Sequence, residues 1–160
     1  MTEALAVRID TRFAAIPERL GKREDSKITV LSSMAEAVIF GALIGFEYQR
    51  RLPISEARKD PIDFVIFQRN RLDEYAYLIA VTASKELSIL SAGREQEVIH
   101  ILEEYANGGF ALLEEWSGDG ESALISTILK KMDAKVAENL EQIKPEVKVS
   151  LKKRRKGSET

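Results

Sequence analysis

The sequence predicts a mainly α protein: a compact bundle of five or six helices, with one short extended segment near residues 62–67. Three observations lead there. Apolar residues recur at helical spacing over most of the chain, most plainly in Ile125, Ile128, Leu129, Met132, Val136, Leu140 and Ile143. The start pattern Ser33-Met34-Ala35-Glu36 precedes an uninterrupted apolar run from Ala37 to Phe46. A length of 160 residues with 44% hydrophobic and 31% charged content suits one folded core and argues against global disorder.

From the N-terminus, Leu5, Ile9, Phe13, Ile16 and Leu20 follow a broadly helical spacing, and Pro17 places a break near Ile16. Lys22 to Lys27 has no apolar period and is expected to cross the surface as a charged connector. Ser33 and Glu36 match a capping box, in which each side chain satisfies the other's free backbone amide, so a helix is expected over about 34–50. Its ten-residue apolar run is about half the roughly 20 residues that span a bilayer, so this is a buried central helix. Gly41 and Gly45 lie four apart on one side of it, where a neighbour can approach closely. That packing reading is favoured over a membrane helix dimer, which needs a longer apolar segment.

Leu52-Pro53-Ile54 ends that helix, and Ile62 to Phe67 is read as extended. Asp73 to about Ser84 is a helix with Leu72, Tyr75, Ala76, Ile79 and Ala83 facing inward, and Glu86 to Ala92 is a short continuation or a connector. Arg94 to Ala106 forms the next helix, and Asn107-Gly108-Gly109 reads as its stop, because Asn and Gly tolerate the left-handed conformation that closes helices. A short helix carries Phe110, Leu113 and Trp116. After the turn at 117–120, the long amphipathic helix is expected to end before Pro145. Residues 1–144 are thus expected to form a single helical domain, and 145–160 a basic, disordered tail.

The tail matters electrostatically. Six cations against Glu159 give residues 148–160 a charge of +5, so with −2 overall the remainder carries −7. An acidic body is a poor match for a compact nucleic-acid-binding domain with one basic face. The absence of cysteine excludes disulfides, thiolate metal sites and a cysteine nucleophile. The first eight residues do not resemble a secretory signal, so a cytoplasmic location and no membrane association are expected.

No catalytic or cofactor motif emerges. His100 and Glu104, four apart on one helix face, could form half a metal site or an acid–base pair, but no companion ligands accompany them and a surface role is favoured. Glu103, Glu104, Glu114 and Glu115 read as an acidic solvated rim, since adjacent helical carboxylates diverge by about 100°. Gly41 to Gly45 lacks the ending of a phosphate loop, and Asp119-Gly120-Glu121 lacks the oxygen series of a calcium loop. No catalytic residue, cofactor or metal is therefore assigned. Candidate nucleic-acid contacts are Arg50, Arg51, Arg69 and Arg71 together with Lys152, Lys153, Arg154, Arg155 and Lys156.

Val38 to Phe46 leading into Arg51-Leu52-Pro53, then Ile62 to Phe67, and finally Ile101-Leu102-Glu103-Glu104-Tyr105-Ala106-Asn107-Gly108-Gly109-Phe110 occur in an order and spacing that resembles the Dnd system-associated protein 4 family, found beside prokaryotic DNA phosphorothioation and restriction genes. The resemblance runs from about Val30 to Met132. It implies an accessory role in a phosphorothioation-linked or related DNA defence system, and no reaction. The leading expectation is a noncatalytic interaction subunit whose partner is a larger nuclease, ATPase or modification protein, with Glu103, Glu104, Tyr105, Asn107, Glu114 and Trp116 as the candidate interface, of which Tyr105 and Trp116 are read first as core residues. The alternatives are a DNA-binding regulator using the cations above and a small metal-dependent hydrolase or nuclease. Homo-oligomerisation is left open, because an amphipathic helix such as 122–140 can pack within one chain or across a dimer.

Overall fold

The N-terminal residues, read above as helical, are extended. In the computed structural model, which describes residues 4–21, 31–118 and 121–156 (backbone alone at 121–123 and 144–156), β1 (Ala6–Val7) pairs antiparallel with β2 (Ile62–Asp63), Ala6 opposite Asp63 and Val7 opposite Ile62. Further backbone bonds, Phe64 N–H to Leu5 O and Arg58 N–H to Ile9 O, extend the pairing at both ends. Leu5 and Ile9 satisfy a helical spacing, but Leu5, Val7 and Ile9 also alternate, and the pairing with 56–64 selects the two-residue period. Val7 and Ile9 are buried as a result.

A 3-10 turn at Thr11–Phe13 leads to α1 (Ala15–Leu20). The interruption therefore lies before Ile16, and Pro17 sits in the first turn, where its missing N–H leaves no helical bond unmade. The charged connector expected at 22–27 lies outside the described residues. α2 (Met34–Glu47) begins where its cap predicts: Ser33 Oγ accepts from Glu36 N–H at 3.1 Å. The reciprocal half differs, because the Glu36 carboxylate reaches Ser32, accepting from its N–H at 2.8 Å and its hydroxyl at 2.5 Å.

The segment read as extended at 62–67 divides. Ile62–Asp63 is strand, and Phe64–Arg69 is a short helix, α3, whose Phe64 and Phe67 are buried. Spacing of three puts both rings on one side of a helix, whereas in a strand they would face opposite ways. α4 (Asp73–Ser84) has the expected bounds and buries Ala76, Ile79 and Ala80, while Tyr75, expected inward, is 46% exposed. A 3-10 turn, Leu87–Leu90, then leads to α5 (Glu95–Ser117).

α5 is the main departure from the sequence reading. It is continuous over 23 residues through Asn107, Gly108 and Gly109, where a stop is expected. The two glycines leave no room for a side chain: a Cβ on Gly109 would lie 1.7 Å from Gly41 O, and one on Gly108 would lie 1.9 Å from Arg50 O. Packing against backbone, which local sequence does not report, outweighs their roughly 1 kcal/mol per residue helix penalty.

Two compact units, Met1–Glu115 and Trp116–Thr160, divide the chain. The second is dominated by α6 (Glu121–Lys156). Its backbone stays helical through Pro145, where an end is expected. Leu124 and Ile128 are buried, whereas Leu129, Met132, Val136, Leu140 and Ile143 are exposed. Among the described residues there are six α-helices and a two-stranded sheet, a mainly α architecture. No described helix is long and apolar enough to cross a membrane.

Candidate functional site

The residues carrying the family resemblance converge where the middle of α5 meets α2 and the segment 50–53. Four glycines permit this approach. Besides the contacts of Gly108 and Gly109, a Cβ on Gly45 would lie 2.0 Å from Tyr105 O, and one on Gly41 would lie 2.4 Å from the Phe110 ring. Removal of side chains here lets two helix backbones touch, the role the sequence assigned to Gly41 and Gly45 but not to Gly108 and Gly109. Tyr105 fills the adjacent space, its ring edge-on to Phe46 at 5.4 Å.

Segment 50–53 is stitched onto α5 by polar groups. Leu52 N–H donates to Glu104 O at 3.0 Å, and the Asn107 amide donates to Leu52 O and Pro53 O at 3.3 and 3.1 Å. Asn107 is buried, and its Oδ1 has no hydrogen-bond partner among the described residues. Arg51 Nε donates to the Glu104 carboxylate, with the guanidinium over the Tyr105 ring at 5.5 Å. Arg50 grips Glu115 with two nitrogens, at 2.7 and 3.2 Å.

Glu103 departs from the solvated rim expected of the four glutamates. It is 1% exposed, and its carboxylate accepts three hydrogen bonds from Arg8: backbone N–H at 2.7 Å, Nε at 3.0 Å and Nη2 at 2.7 Å. The helix turns it inward beneath β1, while Glu104, one position on, stays at the edge with Arg51. The bond to Glu103 and its charge raise the Arg8 pKa. His100 sits at the edge, 3.3 Å from Glu104 and 3.9 Å from Glu103. No set of three or more His, Asp or Glu groups among the described residues could hold a metal ion.

A second inward carboxylate escaped the sequence reading altogether. Asp10 is 1% exposed and accepts from Arg12 N–H at 2.9 Å, from its guanidinium at 3.0 and 2.8 Å, and from Ser55 N–H at 2.8 Å. Hydrogen bonding to Arg12 holds its pKa well below the usual carboxylate range, against the opposing effect of burial. A depressed folded-state pKa contributes stability above the unfolded value of about 3.9, and that contribution is lost as pH falls from there toward the folded value. Asp10→Asn should therefore flatten the stability curve below about pH 4; an unchanged acid limb in pH-dependent melting would remove Asp10 from this role.

The other candidates fall apart in space or in kind. Arg69 and Arg71 are exposed near the α3–α4 junction, Arg71 beside Glu74 at 3.2 Å. Glu114 is exposed; Trp116 is half-buried, with the Lys131 ammonium 5.6 Å above its ring. Lys152, Lys153, Arg154, Arg155 and Lys156 fall in the last turns of α6, beyond the described side chains. Glu103 and Asn107, expected at a partner interface, are buried, and so is Tyr105, read first as a core residue. Arg8 carried no local signal, since the Arg8–Glu103 pair spans 95 positions of sequence; Asp10 stands two positions from Arg12, but its second partner, the Ser55 amide, lies 45 positions on.

The model of the DNA sulphur modification system-associated protein 4 family matches residues 7–152. The chain belongs to this family. The match extends past Val30 to Met132, where the recognisable motifs lie, to take in Arg8 in the N-terminal segment and nearly all of α6. The family description associates the protein with a DNA sulphur modification system. No significant match was found among curated proteins or among solved structures.

Proposed function

We propose that the protein is a noncatalytic accessory subunit that docks on a larger component of the DNA sulphur modification system, such as its nuclease, ATPase or modification protein. The observation that carries this reading is the fate of the polar groups in the family motif. Glu103, Glu104 and Asn107 are engaged with Arg8, Arg51 and the 52–53 backbone, so they hold the fold instead of converging on a shared cavity.

Affinity capture of the tagged protein from its native host, with and without nuclease treatment, tests the proposal. Stoichiometric recovery of one defence protein after nuclease treatment is the expected result. Recovery of DNA alone, lost on raising salt, would replace it with the DNA-binding regulator. Arg50 and Arg51 weigh against that second reading, since Glu115 and Glu104 already neutralise them.

Between Val65 and Leu90, six large apolar side chains are exposed: Val65, Ile66, Tyr75, Leu78, Leu87 and Leu90. Leu78 and Leu87 are the most open, at 60% and 78%, and exposed apolar surface commonly marks protein contacts. Leu78→Asp with Leu87→Asp should lower partner recovery at least tenfold, about 1.4 kcal/mol, while leaving the circular dichroism spectrum unchanged. Full recovery with this double variant would move the docking surface elsewhere.

A further inference from the structure

We propose that the exposed stripe of α6 is an interface between two copies of this chain, paired antiparallel about a two-fold axis through Val136. Leu129, Met132, Val136, Leu140 and Ile143 are between 46% and 57% exposed, a regular row of large apolar groups facing water. With Ile125 they fall within an arc of about 80° on a helix turning 100° per residue. Such a narrow stripe is what a single facing helix covers, and it differs from the broader face of a helix laid on a globular core.

The spacing of the row selects the occupant. From Ile125 the steps are four, three, four, four and three residues, so Ile125, Leu129 and Met132 repeat eleven positions later as Val136, Leu140 and Ile143. Eleven residues make three helical turns to within about 20°, so over the two repeats present the row stays on one side of the helix. In sequence, the next step of four reaches Val147. The series 125, 129, 132, 136, 140, 143, 147 reads the same in both directions about 136. Turned end for end, a second copy therefore sets Leu129 against Ile143, Met132 against Leu140, and Val136 against itself. This is the self-complementarity that a two-fold interface requires.

Charge fixes the direction. Between Leu129 and Val136, Lys130, Lys131 and Lys135 against Asp133 leave a net +2; between Val136 and Ile143, Glu138 and Glu141 leave −2. An antiparallel pair lays the positive half of each helix along the negative half of the other. A parallel pair in register sets like against like at both ends, which is unfavourable. The interface uses only the second unit and does not depend on the docking partner proposed above.

The test uses the full chain, which has no cysteine, so each introduced thiol is unique. Sedimentation of the unmodified protein should give a monomer–dimer equilibrium, and Val136→Lys, which sets two ammonium groups together on the axis, should give monomer with helical content retained. Treated with a short bis-maleimide, Val136→Cys should cross-link to itself. A mixture of Leu129→Cys and Ile143→Cys should yield the mixed dimer, and Leu129→Cys alone should not cross-link. A monomer throughout the micromolar range, a dimer that survives Val136→Lys, or self-linking of Leu129→Cys without the mixed product would each overturn the proposal.

Discussion

Gly109→Ala is expected to destabilise the protein by about 3 kcal/mol or more, at the upper end of what overpacking costs. The sign is the informative part. An Ala in place of Gly inside a helix ordinarily gains roughly 1 kcal/mol, so a glycine retained only as a chain-breaking signal would give a stabler variant. Here the new methyl would lie 1.7 Å from Gly41 O and within 2.9 Å of Gly45 N, both backbone atoms of α2. No rotamer change relieves that overlap; the helices must separate, and the contacts of Phe46 with Tyr105 are lost with them. Gly41→Ala should cost less, about 1–2 kcal/mol, because its methyl meets the Phe110 ring, which can tilt. Urea denaturation of the three proteins, followed by circular dichroism, gives the ranking. A midpoint for Gly109→Ala equal to or above that of the unmodified chain would refute the close crossing of α2 and α5.

Arg8→Ala is the second large effect, with an expected loss of about 2–4 kcal/mol at neutral pH. The variant strands the Glu103 carboxylate, 1% exposed, with only the Arg8 backbone N–H still donating from that residue. Glu103→Gln should be milder, about 1–2 kcal/mol, because the amide still accepts from the backbone and the abandoned guanidinium, 44% exposed, can turn to water. The order of the pair separates a buried ion pair from a surface one. At the surface both substitutions would cost less than about 1 kcal/mol and would differ little. Thermal melts at one pH suffice, and equal small losses would place Glu103 at the surface after all.

Legibility in the sequence followed the range of the interaction. Asp73–Ser84 matched its expected bounds because an amphipathic stripe and a short connector are written within a dozen residues. The start of α2 was readable because the Ser33 hydroxyl and Glu36 amide are three positions apart. The candidate site was half legible. Its residues could be named as a group, since Tyr105, Asn107, Gly108 and Gly109 stand together, but their roles could not. Asn107-Gly108-Gly109 has the composition of a helix stop, and only the presence of Gly41 O and Arg50 O alongside reveals that the missing side chains serve contact.

By itself, then, the sequence determined a mainly α chain, the position of α2 and α4, the amphipathic character of α6 and the family to which the protein belongs. These rest on periodicity, caps and ordered motifs, all written along the chain. Tertiary structure alone decided that Leu5 to Ile9 is extended, that α5 runs unbroken through two glycines, and that Glu103 and Asp10 face inward to arginines. The strand, α5 and Glu103 each turn on a partner distant in sequence: β2 for the N-terminal strand, the backbone of α2 for Gly109, Arg8 for Glu103; Asp10 combines its neighbour Arg12 with the Ser55 amide, 45 positions away. Local propensities differ by about 1 kcal/mol or less per residue, whereas backbone overlap or a stranded buried charge costs several times more, so the distant partner prevails.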